Sequence, residues 1–163
     1  MKCCRQNQHQ ERSGVAAVEC AIVLPVMLVL VLGLIEMGTA LRAATIMESA
    51  VREAGRLASM DWRYVVEDDD TPNDKVEQDL RNFVTASGLP GDDLIVSIEH
   101  AEGASEGSEF DISDSDNELE LLLIEVELPY SSISLFPTEY LGGTSLRAGV
   151  VSRAGIAGGS LTN

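Results

Sequence analysis

Residues 12–41 read RSGVAAVECAIVLPVMLVLVLGLIEMGTAL, a short polar start followed by a long apolar run. Residues 20–35 are sixteen consecutive positions without a charge. As an α-helix they cover about 24 Å, and the continuation to Leu41 carries the helix past the ~30 Å of a bilayer core. The sequence therefore predicts one transmembrane helix over residues 15–42.

The charges on either side of this run predict its orientation. Lys2, Arg5 and Arg12 precede it, whereas the residues after Asp61 are mostly acidic. Basic residues close to a membrane span stay on the cytoplasmic side. We therefore expect residues 1–14 to be cytoplasmic and the C-terminal part of the chain to be extracytoplasmic.

Glu19 lies just inside the apolar run, where an ionised carboxylate costs a few kcal/mol unless it finds a partner. Cleavage between Gly14 and Val15 would supply one, because Val15 would then carry an amino group that is mostly protonated at neutral pH. Residues four apart share a helix face, so this ammonium could meet Glu19 of its own chain or of a neighbouring helix. Gly14, Val15 and Glu19 are thus a candidate processing site.

A glycine before the cut, a glutamate at the fifth position after it and an apolar helix downstream resemble the processing pattern of type IV prepilins. Residues 13–26 and 33–38 resemble the TadE-like pseudopilins of tight-adherence (Flp) pilus systems, and the resemblance covers roughly residues 12–60. It implies cleavage after Gly14 by a prepilin peptidase, a prepilin-type leader over residues 1–14 and a helical stalk. One position departs from the family, which usually has an aromatic residue where this chain has Cys20.

The resemblance also implies partners and a location. The partners would be the prepilin peptidase, other pilins or pseudopilins, the inner-membrane assembly platform and the lipid bilayer. The chain would be a single-pass protein of the bacterial cytoplasmic membrane, either retained there or incorporated in an adhesive pilus. Residues expected to serve the membrane helix and subunit packing are Cys20, Pro25, Gly33 and Glu36.

Pro25 has two interpretations within the predicted span. It removes one backbone hydrogen bond and tends to kink a helix, a defect that membrane helices tolerate. In a pilin it would also be a point where the helix bends as the subunit leaves the bilayer. The sequence does not decide between a simple kink and this role.

Two other functions fit the same N-terminal pattern. The chain could be an uncleaved anchor that carries an extracytoplasmic binding module without a pilus role, its acidic domain meeting a basic partner. It could also begin with a secretory signal that is cut after small residues, for which Gly38, Thr39 and Ala40 would serve. A pilin-like role predicts processing and dependence on Glu19, and the anchored module predicts neither.

Composition limits the remainder. A chain of 163 residues has room for one anchor and one small domain, here residues 61–163. The net charge of −16 becomes −18 without residues 1–14, and such a surface repels nucleic acid and anionic lipid. All three cysteines lie within residues 1–20, which excludes a disulfide or a cysteine-ligated metal in the outer domain.

Catalytic patterns are missing from the outer domain. It has one histidine, His100, and lacks cysteine, a glycine-rich phosphate loop and a Gly-x-Ser-x-Gly turn. We therefore expect no enzymatic activity, cofactor, metal or small-molecule substrate.

Two helical segments are predicted beyond the membrane. Residues 43–60 continue the first helix with an amphipathic face of Ala43, Ile46, Met47, Ala50, Val51, Ala54, Leu57 and Ala58. Residues 61–70 form a charged connector. Thr71 and Pro72 then start a second helix, whose apolar stripe is Val76, Leu80, Phe83 and Val84 and which ends at Gly88 and Pro90.

Three strands follow, over residues 94–98, 119–128 and 146–152. The alternation of the middle strand slips by one residue, which predicts either a β-bulge near Leu122 or burial of both faces in its middle. The predicted class is α+β, a small antiparallel sheet covered by the two helices. Residues 101–118 between the first two strands are rich in glycine, serine and acids, and predict a solvated, mobile loop. Ca²⁺ binding by its acids is the alternative, but their spacing lacks the glycine and terminal glutamate of an EF-hand loop.

Overall fold

The computed structural model describes residues 7–64, 71–135 and 143–157, with side chains in the first helix from residue 14 onward. Its elements are α1 (Asn7–Ala58), α2 (Pro72–Ala86), β1 (Ile95–His100), β2 (Leu121–Pro129) and β3 (Ser145–Arg153). The predicted α+β class with a three-stranded antiparallel sheet is confirmed. Residues 1–6 of the predicted leader, and 65–70 of the predicted connector, lie outside the described residues.

The chain divides into two compact units, Met1–Gly38 and Thr39–Asn163. In the first unit the described side chains are those of the apolar part of α1, and nearly all of them are exposed. The described part of this helix, Gly14–Ala58, is long and apolar enough to cross a membrane. An apolar surface of this extent on all sides of a helix is typical of a segment in lipid or in a bundle of helices.

In the second unit, the C-terminal part of α1 buries one face. The buried side chains recur at three- and four-residue spacing, as the sequence predicts, and are Ala43, Met47, Ala50, Val51, Ala54 and Ala58. Glu48 and Arg52 lie on the solvent side, 3.4 Å apart. Tertiary packing of the apolar stripe stabilises this part of the helix far more than that exposed ion pair does.

Helix α2 begins where its capping residues predict. The Thr71 hydroxyl accepts a hydrogen bond from the Asp74 backbone N–H at 3.1 Å, and Pro72 occupies the first turn. Val76, Leu80 and Val84 are buried, as expected. Phe83 differs from the expectation, since it is 39% exposed and lies at the border of the buried stripe. Pro72 is also buried, and Val76, Leu80 and Val84 belong to the hydrophobic core of the second unit.

The sheet is a meander in the order β1-β2-β3, with both pairs antiparallel. The register along β2 is continuous on both sides, and its residues alternate strictly, with Leu122, Ile124, Val126 and Leu128 buried. The predicted β-bulge near Leu122 is therefore wrong. The slip in the apolar pattern arises because Leu121 and Leu123 lie on the half-buried face of this regular strand, opposite the buried Leu122 and Ile124. Leu119 is not part of the strand and precedes it in a left-handed turn with φ of 63°.

The long connection between β1 and β2 is partly buried, which corrects the expectation that residues 101–118 are too polar to bury. Phe110 and Ile112 belong to the core, and the Phe110 ring lies 4.6 Å from the His100 ring. The Asn73 amide ties this segment to α2, because its Nδ2 donates to the Phe110 carbonyl and its Oδ1 accepts from the Ile112 N–H. Residues 102–109 are exposed, and their mobility stays a prediction.

The chain after β3 closes against the end of α1. The Gly155 N–H donates to the Ala58 carbonyl at 2.9 Å, and the Trp62 N–H donates to the Ile156 carbonyl at 3.1 Å. Ser59 adds a side-chain bond to the Arg153 carbonyl at 2.8 Å. These bonds satisfy backbone groups at the helix end, which otherwise have no partner within the helix.

Candidate functional site

The predicted processing site lies within α1. Gly14, Val15 and Glu19 are all exposed, and a Cβ built on Gly14 would have no atom within 4 Å. The peptide bond between Gly14 and Val15 joins two exposed residues, but it is helical. Glycine is a weak helix former, so this is a point where local unwinding costs little.

Val15 and Glu19 lie one helical turn apart. Residues at this spacing are neighbours on the surface of an α-helix, with about 5–6 Å between their Cβ atoms. Within the part of the chain that the structure describes, no basic side chain pairs with Glu19. An amino group on Val15 could therefore reach this carboxylate without displacing another partner.

The four positions expected to serve packing are distributed along the rest of the apolar helix. Cys20 is a free, exposed thiol, Pro25 lies inside the helix, and Gly33 has open space where a Cβ would be. Glu36 is half-buried. Sixteen residues of helix separate the first from the last by about 24 Å, so these residues line a helix and do not form one local site.

Exposed ion pairs lie at and just beyond the end of α1. The Arg56 guanidinium donates to the Glu53 carboxylate, which lowers the pKa of Glu53 and raises the pKa of Arg56. Hydrogen bonding from Arg63 likewise lowers the pKa of Asp61. A carboxyl whose pKa is lowered in the folded state stabilises the fold at pH values above its ordinary pKa of about 4. This stabilisation is lost as the pH falls through the lowered pKa. Because all these groups are exposed, the contribution is small.

Two carboxylates of residues 111–118 bond local turns, whereas Glu118 Oε1 accepts from the distant Ala157 N–H at 3.2 Å. Asp111 Oδ1 accepts from the Ser113 N–H at 2.8 Å, and Asp114 Oδ1 accepts from the Asp116 N–H at 2.9 Å. Among the described residues, no group of three or more histidine, cysteine, aspartate or glutamate side chains could hold a metal ion. The structure thus assigns these acids a role in shaping the loop.

One feature of the second unit could not be found from the sequence. A cleft of about 320 Å³ lies between the start of α2 and β1, over Val96 and Ile98. Its polar lining consists of Asn73, Asp74, Glu77, Ser97, Glu99 and Glu109. These residues come from three separate segments, and only the strand register and the buried Phe110 anchor bring them together.

Comparison with known proteins gives one match. The model of the family described as "TadE-like protein" matches residues 14–56, which confirms the resemblance drawn from the sequence. The matched segment starts at Gly14 and includes all the predicted processing and packing residues. No curated protein and no solved structure gives a significant match.

Proposed function

We propose, from the match of residues 14–56 to the TadE-like family, that this chain is a minor pseudopilin of a tight-adherence (Flp) pilus system. It is inserted in the membrane through α1, cut after Gly14 by a prepilin peptidase, and takes part in pilus biogenesis. The family match itself indicates a pilus-associated protein. The processing and the specific role belong to the proposal.

The main observation behind the proposal is that the family match includes an apolar helix segment whose described side chains are exposed. The match begins at the glycine that would precede the cut, and the exposed apolar segment follows directly. Glu19 is the acidic residue in the first turns after that glycine, and no described side chain neutralises it. A new terminus at Val15 would do so, within the same helix or between helices.

The proposed role is structural. The TadE-like family is a structural, pilus-related family, which agrees with the absence of catalytic motifs from the sequence. The apolar helix favours membrane anchoring. We place the N-terminus in the cytoplasm and the acidic domain outside the cytoplasmic membrane, in contact with other pilins or pseudopilins and the assembly platform.

The alternative is a single-pass anchor that holds an extracytoplasmic binding module. The acidic cleft between α2 and β1 would suit a basic partner in that case. This protein would keep residues 1–14, and Glu19 would have no special role. The two functions therefore differ in what a substitution at Glu19 does.

We expect Glu19→Ala to abolish complementation of a strain that lacks this gene, because the substitution removes the carboxylate that would neutralise the new terminus in the membrane. The measurement is the amount of surface pilus and attachment per cell, at matched levels of membrane-inserted protein. Glu48→Ala is the matched control, since its exposed carboxylate lies on the same helix outside the membrane segment and pairs with Arg52. Removing that ion pair costs a few tenths of a kcal/mol.

Full pilus formation by Glu19→Ala would contradict the pseudopilin proposal and favour the anchored module. Equal loss with Glu48→Ala would also count against it, since the effect would then not be specific to the membrane carboxylate.

A further inference from the structure

We infer that neighbouring copies of this chain bind each other through the two edges of the sheet in the second unit. In this contact, β3 of one copy pairs with the segment around Glu109 of the next. The inference goes beyond the proposed function in naming the contact. The inference rests on the proposed function in one respect, namely that membrane helices hold several copies side by side.

One edge is β3, whose outward carbonyl at Arg153 accepts from the Ser59 hydroxyl at 2.8 Å. The Tyr130 N–H donates to the Thr144 carbonyl, and the Ala154 N–H donates to the Glu120 carbonyl. Antiparallel pairing alternates with a period of two, so the even-numbered residues of β3 bond β2. The N–H and C=O groups of Arg147, Gly149 and Val151 therefore point away from the sheet, and within the described residues nothing bonds them.

The other edge is formed by the segment that lies against β1. The His100 N–H donates to the Ser108 carbonyl, and the Phe110 N–H donates to the Ile98 carbonyl. Glu109 pairs with Glu99 between these bonds, so its own backbone groups face outward. No described residue bonds them, and the Glu109 side chain is exposed.

Glu109 and Val151 lie at the same level and on the same face. Glu109 pairs with Glu99, Glu99 pairs with Leu123, and Leu123 pairs with Val151. Directly paired residues project to the same face of a sheet. A copy moved sideways, without rotation, therefore brings its Glu109 opposite Val151, with the outward backbone groups of both residues facing each other.

Strand direction agrees with such a sideways relation. β1 and β3 are both antiparallel to β2, so they run in the same direction, and the segment around Glu109 is antiparallel to β1. β3 is consequently antiparallel to the next copy's segment when both copies have the same orientation. Copies inserted in one membrane share one orientation, and a sideways shift keeps it.

Charge is complementary across the two edges. Residues 143–157 contain Arg147 and Arg153 and no acid, in a chain whose net charge is −16. Arg153 lies two positions from Val151 on the same face, and within the described residues no acid pairs with its guanidinium. It would be a diagonal neighbour of the next copy's Glu109, which is within reach of a long side chain. The acidic edge of one copy thus meets the basic edge of another.

The contact has two consequences for assembly. It is head-to-tail and leaves an open edge at each end, so repetition gives an open array, and the twist of the sheet turns that array into a helix. It is also short, so it would not hold two free domains together and depends on the high effective concentration of copies held side by side by their membrane helices.

The test is site-directed disulfide formation between uncut, full-length chains in liposomes, in a background where Cys3, Cys4 and Cys20 are serine. We expect a mixture of E109C chains and V151C chains to give a dimer on mild oxidation, and neither variant to do so alone, because paired Cα atoms lie within disulfide range. A mixture of E109C with E48C measures random collision. Both edge side chains are exposed and make no contact with the described core, so the variants keep the fold.

A second measurement tests the charges through energy transfer between labelled chains in the same liposomes. We expect R153E or E109R alone to lower association on the order of fivefold, the size of one cross-strand charge pair, and a mixture of the two variants to recover much of it. A dimer formed by G149C chains alone would show a β3-to-β3 pair and overturn the inference. No dimer above the E48C control would also overturn it, and would leave the processing proposal unaffected because no peptidase is present.

Discussion

Replacing Phe110 by alanine is expected to lower the free energy of unfolding by about 3–5 kcal/mol, the usual cost of removing a fully buried phenylalanine. The ring has no exposed surface and packs against His100. Its backbone joins β1 through the Ile98 carbonyl and α2 through the Asn73 amide. The cavity would therefore open at the point where the long connection is attached to both layers.

The measurement is a guanidinium titration of the full chain in a mild detergent. Trp62 reports unfolding, since it is the single tryptophan of the sequence and is 2% exposed. Phe83→Ala is the matched control, because that ring is 39% exposed and its loss is expected to cost less than half as much. Equal effects of the two substitutions would mean that residues 101–118 are not anchored in the core as described.

Gly155→Ala is the second change with a large expected effect. A Cβ at this position would overlap the Met60 carbonyl and also approach the Ser59 backbone, both of which are main-chain atoms that cannot rotate away. The Gly155 N–H bond to the Ala58 carbonyl holds the two segments at this close distance. We expect a loss of about 3 kcal/mol of stability or more, as for severe overpacking of a core.

Gly149→Ala is the control in the same region of sequence. Its Cβ would meet the Ile124 carbonyl and the Leu123 side chain at 3.5 and 3.6 Å, which is ordinary van der Waals contact. Alanine in a strand costs less conformational entropy than glycine, so stability should be unchanged or rise slightly. A Gly155→Ala chain as stable as Gly149→Ala would contradict the close packing of the chain after β3 against the end of α1.

The elements were predictable from the sequence where local pattern and tertiary environment agree. The three- and four-residue spacing after Ala43 predicts the buried face of α1, and the Thr71 cap with Pro72 predicts the start of α2. The strand positions and the antiparallel class also follow from patterning. In these elements one face is buried and the other is exposed, so the apolar positions of the sequence correspond to the buried face.

The prediction failed where position in the fold overrides composition. Residues 101–118 are polar on average, yet two apolar side chains and one amide from α2 attach them to the core. The apparent slip in β2 came from apolar side chains on both faces of a regular strand, since Leu121 and Leu123 are half-buried opposite the buried Leu122 and Ile124. A single sequence does not carry the contacts between distant segments that decide such cases.

The candidate processing site was predictable because it is local. Gly14, Val15 and Glu19 fall within six successive residues, and the family match starts at the same glycine. The open edges of the sheet were not predictable, since they depend on the strand order and on the segment around Glu109. A site made of neighbouring residues can be predicted from the sequence, whereas an assembly surface depends on strand order and register.

The most direct test of the proposed function is the N-terminal residue of the membrane-extracted protein, determined by intact mass and terminal peptide sequencing with and without a co-expressed prepilin peptidase. The proposal predicts a start at Val15 when the peptidase is present and at Met1 when it is absent. A start at Met1 in both preparations would contradict it and favour the ordinary anchor. A start beyond Ala40 would show a cleaved secretory signal.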